Sequence, residues 1–477
     1  MVTFYFIAAG ILIVTLFFIQ KSVVSHVLVF VFISMLGALC SYEALHLNLV
    51  EDSFFKADAL GVLFLFVTLI ISFFSAIHYI IYVDKRKQGE RSVAIHNASF
   101  VVFVTAISGV FLATHIGMLW AFLEASTLSG AALIYHDRDK LSLEATWKYL
   151  FVSSIGVTLG FAGIMFLSVA ASNTPNYIDA LVNMAPQMNT GWLKTSFIFV
   201  LAGFSVKMGV VPFFTIDIDA KDSSPSPVGA MFSGPLMSVG FMAIYRFYQI
   251  YAHTTILEWM NHLLLLTGVL SLFFAAVFIL KTNNYKRLLA YSSMEHAGLI
   301  LIAFSTGVTG YFVAILHLVL HAFAKAGLFF QMGQVTRVFN SKIEEECGGY
   351  FKHNPVGSIT LLAGLLSIVA MPPSGLFMTE FLLFKSLMIS SQWWIVFIVM
   401  FLLIFFVYAM VKKFFTLIFI ENKNAHPAEV VHPLESLSPL LLIGTVLFFG
   451  VVSPDFLIHI IEQATQVLPG GTIITIK

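Results

Sequence analysis

The chain has 477 residues, 59% hydrophobic and 10% charged, with 25 basic and 25 acidic side chains and zero formal net charge. Soluble domains carry about 25% charged residues, so this composition, with a mean hydropathy of +0.93, is that of a polytopic membrane protein. No basic tract exceeds Lys85-Arg86-Lys87, which excludes nucleic-acid binding, and the hydrophilic loops 338–354 and 421–436 are too short to fold as a redox or nucleotide domain.

A helix needs about 20 apolar residues to cross a ~30 Å hydrocarbon core. Runs of that length recur at 2–20, 22–42, 58–83, 98–115, 118–136, 144–171, 194–220, 227–250, 256–280, 288–305, 309–337, 355–390, 393–420 and 437–463. They predict an all-α polytopic membrane protein of about fourteen transmembrane helices, because the shorter alternating segments of an outer-membrane barrel are lacking. The first run has no basic lead and no small-residue cleavage site, so it reads as a retained helix and not a signal peptide. Alternate loops hold Lys21, Lys85-Arg86-Lys87 with Arg91, Arg138 and Lys140, Lys221, Lys281 with Lys286-Arg287, Arg337 with Lys342 and Lys352, and Lys412-Lys413 with Lys423. The opposite loops hold little beyond Lys56, Lys194 and Arg246, which places both termini on the outer side. Cys40 ends one span and Cys347 lies in a cytoplasmic loop, so neither a disulfide nor a redox motif is expected.

Two spans are interrupted near their middles. The seventh contains Lys207-Met208-Gly209-Val210-Val211-Pro212 and the twelfth Met371-Pro372-Pro373-Ser374-Gly375. Proline removes a backbone donor and glycine loosens the turn, so each helix breaks there. Backbone groups freed at membrane depth are tolerated only beside protein or a water-filled cavity, and paired interruptions point to an ion path.

Ionisable residues cluster at the same places. Glu124, Lys207, Lys325 and Glu380 lie deep in apolar spans, where a charge costs about 2.5–3.5 kcal/mol on insertion scales and persists where it serves ions. Glu124 and Lys207 are expected to pair across the fold. Withdrawing Glu124 destabilises the charged lysine, which then releases a proton, and re-forming the pair recharges it. The competing reading is a static buried salt bridge. His317, His321 and Lys325 follow at i, i+4 and i+8 on one helical face, and histidine titrates near neutrality. The two histidines also have metal-ligand spacing, but Leu318, Val319 and Leu320 between them supply no third ligand, and neither metal nor cofactor is expected. Glu295-His296 forms another acid–base pair, suited to proton entry from the cytoplasmic end. Lys385 is expected to snorkel outward. Asp217, Asp219, Lys221 and Asp222 either gate the end of the seventh span or solvate it. His26, His46, His78, His96, His115, His136, His253, His262, His353, His426, His432 and His459 have no partner readable from sequence. A weak internal repeat lays Trp120–Ala125 over His321–Ala326, setting Glu124 against Lys325 and Lys207 against Glu380 with the sign reversed.

At these residues the chain resembles the antiporter-like subunits of respiratory complex I, the Mrp cation/proton antiporters and the energy-converting hydrogenases. Leu123-Glu124-Ala125-Ser126-Thr127-Leu128 looks like the glutamate motif of the fifth helix. Lys207-Met208-Gly209 through Pro212, followed by Pro225-Ser226-Pro227-Val228, looks like the lysine and loop of the seventh. Lys286-Arg287 through Ser293, His317 through Ala326, and Thr379-Glu380-Phe381 match the motifs of the tenth, eleventh and twelfth. Glu144 through Leu150 and Ser293-Met294-Glu295-His296 look most like the F-type membrane subunit of hydrogenase 4 and formate hydrogenlyase.

The resemblance implies two inverted five-helix repeats with broken helices seven and twelve. It divides the chain into an N-terminal three-helix segment (1–97), a first repeat (98–250), a second repeat (256–420) and a C-terminal loop and last helix (421–477). It also implies assembly beside similar membrane-arm subunits and soluble partners, and movement of protons or sodium driven by a redox arm. The chain departs from the family at Phe214 and Ile216-Asp217-Ile218-Asp219. It departs again at Met231-Phe232-Ser233-Gly234, where relatives often carry a His or Lys in the eighth helix, so a central link must use water or Ser233 or be absent. The leading expectation is proton translocation through Glu124, Lys207, Glu295, His296, His317, His321, Lys325 and Glu380 in a complex of the cell membrane. The alternatives are sodium/proton exchange of the Mrp type, a subunit of a proton-driven inorganic-carbon uptake complex, and a non-conducting spacer.

Overall fold

The computed structural model describes residues 1–19, 21–47, 54–172, 174–425 and 429–470; His426 lies outside them. Its helices in chain order are α1 (Val2–Phe18), α2 (Ser22–Leu45), α3 (Ala59–Arg86), α4 (Glu90–Leu112), α5 (Ile116–Ile134), α6 (Lys140–Ala171), α7 (Ile178–Met184), α8 (Thr190–Met208), α9 (Phe214–Ser223), α10 (Ser226–Met231) and α11 (Met237–Tyr251). They continue as α12 (Leu257–Lys281), α13 (Tyr285–Phe304), α14 (Val308–Phe339), α15 (Tyr350–His353), α16 (Pro355–Ile368), α17 (Gly375–Ile389), α18 (Trp393–Phe419), α19 (Leu437–Val451) and α20 (Asp455–Thr465). Among the described residues, extended pairing is limited to isolated bridges. Among the described residues, ten helical stretches are long and apolar enough to cross a membrane, with α1 and α16 as shorter apolar helices.

The span ends follow local chemistry. Helix N-termini leave unpaired amides that short polar side chains satisfy. Asp58 accepts from Gly61 N at 2.8 Å, Asp139 from Ser142 N at 2.6 Å, Asn284 from Lys286 N at 2.9 Å and Asn354 from Gly357 N at 2.8 Å, opening α3, α6, α13 and α16.

Both expected breaks are present. α8 ends at Met208 with Gly209 in the left-handed region at φ 73°, and α9 begins at Phe214. α16 ends at Ile368, and α17 starts at Gly375 with Ser374 as its cap. Two further interruptions depart from the expectation of unbroken helices. The eighth span passes through a π turn at Phe232–Leu236, which contains Pro235. The last span, expected as one helix over 437–463, is two, α19 and α20, divided at Val452–Pro454. Pro454 lacks the amide that would continue the ladder.

The chain forms two compact units. Of the described residues, the first comprises those within 1–231, 235–260 and 460–470, and the second those within 232–234 and 261–459. In the first, α6 and α8 pack through small residues. A Cβ placed on Gly203 would lie 2.3 Å from Gly160 N and 2.6 Å from Gly156 O, so the two backbones touch. Such close approach substitutes in lipid for the missing hydrophobic drive between helices. Gly203→Val should therefore force α6 and α8 apart at a cost of about 1–3 kcal/mol; a lowered midpoint for thermal aggregation of the detergent-solubilised protein, beside an unchanged Gly444→Val control, checks this. Gly444 has no atom within 4 Å of its Cβ position.

In the second unit α14 packs against α13, α16, α17 and α19, and its apolar stretch is wholly buried. α18 instead exposes Trp393, Phe397, Phe401, Ile404 and Tyr408 along one face, as a lipid-facing helix does. Lys385 is exposed near the end of α17, and Cys40 and Cys347 are buried free thiols.

Candidate functional site

In the first unit, α5, α6 and α8 bring Glu124, Thr127, Tyr149, Ser154 and Lys207 together. Lys207 sits in the last turn of α8, directly before the Gly209 break, and is only 2% exposed. Its Nζ donates to Thr127 Oγ1 at 2.7 Å and to the Tyr149 hydroxyl at 3.4 Å, and lies 5.4 Å from the centre of the Tyr149 ring. Glu124 is held separately, its Oε1 accepting from Ser154 Oγ at 3.0 Å. The direct Glu124–Lys207 ion pair expected from sequence is thus replaced by a looser arrangement. Thr127, one turn along α5 on the same face as Glu124, takes the ammonium, while Glu124 acts on Lys207 through its charge.

A second carboxylate acts on the same lysine. Asp217 on α9 also interacts electrostatically with Lys207, and its Oδ2 forms a buried ion pair with Lys221 Nζ at 2.5 Å. The break makes this approach possible, because a Cβ on Gly209 would lie 2.6 Å from Asp217 Oδ2. Asp217 and Lys221 therefore belong to the interior and are not a solvating fringe. Asp219 is only partly buried by contrast and lies 3.6 Å from Lys148, which is half exposed.

In the second unit, α13, α14 and α17 converge. Lys325 is fully buried, donating from Nζ to Leu289 O at 2.9 Å and to Ser292 Oγ. His296 Nδ1 lies 3.0 Å from His317 Nε2, and His317 Nδ1 lies 2.8 Å from Thr379 Oγ1. His296 Nε2 is 3.5 Å from Glu295 Oε2. His321 stands with its ring centre 5.0 Å from that of His296. Glu380 follows Thr379 on α17, two turns after the second break, and it and Lys325 both act on Glu295 through their charges. All six expected residues of this unit, Glu295, His296, His317, His321, Lys325 and Glu380, are buried together. Leu289, Ser292 and Thr379 all fall within motifs read from the sequence, which gave none of them a role at the site.

Histidines that looked solitary in the sequence also converge in the first unit. Tyr79 stacks on His96 with ring centres 3.6 Å apart, its hydroxyl lies 3.4 Å from His136 Nε2, and Asn97 Nδ2 lies 3.3 Å from His26 Nδ1. His26 and Tyr79 meet edge to face. Four helical segments supply these groups, so no local spacing could reveal them. His115 instead caps α5, accepting from Gly117 N at 3.1 Å, and His46 stacks on Tyr42.

A helical, multi-pass chain with Lys207 buried at one broken helix and Glu380 buried just past the other has the features of a membrane transport protein. Residues 113–406, more than half of the chain, match the family described as NADH:quinone oxidoreductase/Mrp antiporter, TM. The chain belongs to that family and is an integral, antiporter-like membrane subunit. It is 30% identical over 347 residues to the hydrogenase-4 component F homolog of Methylacidiphilum infernorum (isolate V4), a match covering 70% of this chain and 72% of the relative. Its fold matches a chain of the membrane-bound sulfane sulfur reductase, an archaeal respiratory membrane complex, with a TM-score of 0.85 and 19% identity over 98% of this chain and 96% of that one. It also matches a chain of the Mrp complex from Dietzia sp. DQ12-45-1b, with a TM-score of 0.84 and 16% identity over 99% of this chain and 97% of the other.

Proposed function

We propose that the chain translocates protons as a membrane-arm subunit of a redox-driven complex, using Glu124 and Lys207 in its first unit and Glu295, His296, His317, His321, Lys325 and Glu380 in its second. The observation that carries this reading is the run Glu295–His296–His317–Thr379, with steps of 3.5, 3.0 and 2.8 Å. Adjacent imidazoles at hydrogen-bond distance hand on protons by exchanging tautomers, and they are poor ligands for an alkali cation. The run therefore favours protons over sodium. At Lys207 the ammonium is held by hydroxyls, so the free energy of its proton depends on the charges of Glu124 and Asp217. A change of charge at either carboxylate then moves a proton.

Family membership and the match to subunits of multi-subunit membrane complexes support assembly beside similar subunits. A soluble partner supplies the redox step, the setting is the cell membrane with both termini outside, and residues 98–250 and 256–420 act as two translocating repeats. The test is proton uptake by sealed vesicles containing the assembled complex, followed with a pH-sensitive dye. His317→Ala should lower driven uptake at least about tenfold, a modest share of what a positioned acid–base group contributes. A sodium pulse should leave vesicle pH unchanged. A pH response to sodium that survives in His317→Ala would instead favour sodium/proton exchange.

A further inference from the structure

Glu295 and His296 on α13 and Glu380 on α17 each offer one ligand atom, and the three atoms lie within 4.8 Å of one another. Glu295 and His296 are fully buried, and Glu380 is 9% exposed. Both carboxylate oxygens of Glu295, and His296 Nε2, are buried with no hydrogen bond from the described residues.

With His296 protonated on Nδ1, the hydrogen-bond order leaves Nε2 facing this cluster, and the ring also meets the Ile368 carbonyl. Thr379 donates its hydroxyl proton to Leu376 O at 2.9 Å, so its oxygen accepts from His317 Nδ1. A neutral His317 then carries its lone pair on Nε2 and accepts from His296 Nδ1. A neutral His296 in turn presents a bare Nε2 to Glu295 Oε2, 3.5 Å away. Two lone pairs facing each other in a buried site repel unless a positive charge stands between them. During translocation that charge is a proton, and a metal ion would satisfy the same atoms.

The donor set decides which ion. An imidazole nitrogen with two carboxylates suits zinc and its first-row neighbours, whereas sodium, magnesium and calcium prefer oxygen alone. Bonds of about 2.0 Å to a tetrahedral ion place its ligands roughly 3.3 Å apart, so binding draws the carboxylates slightly inward. His317 and Thr379 hold the ring from behind, as second-shell partners do for metal-bound histidines.

We propose that Glu295, His296 and Glu380 form a binding site for a divalent first-row transition metal, with Zn²⁺ as the probe ion, and that the bound metal displaces the relayed proton and arrests transport. The arrest rests on the translocation reading above; the binding does not.

The experiment uses the full chain with the subunits that purify with it, stripped with EDTA and dialysed against Zn²⁺. The wild type should bind one zinc per chain more than Glu295→Gln, His296→Gln or Glu380→Gln, with a nitrogen-and-oxygen shell and no sulfur by zinc X-ray absorption. Its affinity should fall as pH is lowered, because protons compete. Equal zinc in wild type and all variants, or a sulfur-containing shell for the extra zinc, overturns the site. Because Glu295→Gln and Glu380→Gln alter the cluster from separate helices, one assembled variant suffices. Proton uptake by metal-free vesicles separates the two ideas. Uptake with no variant-sensitive zinc sinks the metal site alone, while variant-sensitive zinc without uptake sinks translocation and leaves the site.

Discussion

Lys207→Ala is expected to reduce driven proton uptake into sealed vesicles to background, a loss of about a hundredfold or more on the scale of a removed acid–base group, with abundance and assembly unchanged. The second half of that expectation follows from the geometry. Lys207 is held by Thr127 and Tyr149, and Glu124 has its own hydrogen bond from Ser154. Removing the lysine takes one partner from the Thr127 hydroxyl, which still donates to Leu123 O at 3.2 Å, and leaves Glu124 bound to Ser154 and half buried. Lys207→Arg separates proton carriage from charge. The guanidinium keeps its proton at any working pH, so a relay that needs deprotonation stops in both variants. A lysine that merely supplied positive charge would be replaced by arginine with uptake largely intact. Tyr149→Phe should be milder, since it deletes one long hydrogen bond and keeps the ring beneath the ammonium.

The residues that matter most in this comparison were visible in the sequence as types and positions, though not as partners. Hydropathy alone marks the spans, because lipid demands long apolar helices and permits few alternatives. Gly209-Val210-Val211-Pro212 and Pro372-Pro373-Ser374-Gly375 announce their breaks through missing donors and small residues. His317 and Lys325 share a helical face by spacing, and the structure buries that face. Partner choice was not legible. Lys207 takes Thr127 in preference to Glu124 because both sit on one face of α5, and angstrom-scale placement decides between a hydroxyl and a carboxylate. The convergence of His26, His96 and His136 on Tyr79 likewise depends on tertiary packing of several helices. Pro454 did carry a local signal. It was overridden by the apolar run around it, which reads as one helix over 437–463 until the chain is seen to divide at Val452–Pro454.

Asp217 and Lys221 offer the largest expected effect on stability. The pair is i, i+4 on α9, 2.5 Å apart, with side chains 8% and 1% exposed. Removing one member of a buried pair leaves an uncompensated charge and costs about 3–5 kcal/mol, whereas replacing both by apolar groups of similar size is often nearly neutral. Lys221→Ala should therefore lower the denaturation midpoint of the solubilised protein sharply, and Lys221→Met with Asp217→Leu should recover most of the loss. Uptake measured on the recovered double variant then assigns the pair its role. Asp217 acts electrostatically on Lys207, so erasing its charge changes the free energy of the Lys207 proton even where stability is restored. The expected result is a stable double variant that translocates several-fold more slowly and at a shifted pH optimum. Wild-type rate and pH profile in that variant would make the pair packing alone, and would leave Glu124 as the carboxylate that drives Lys207.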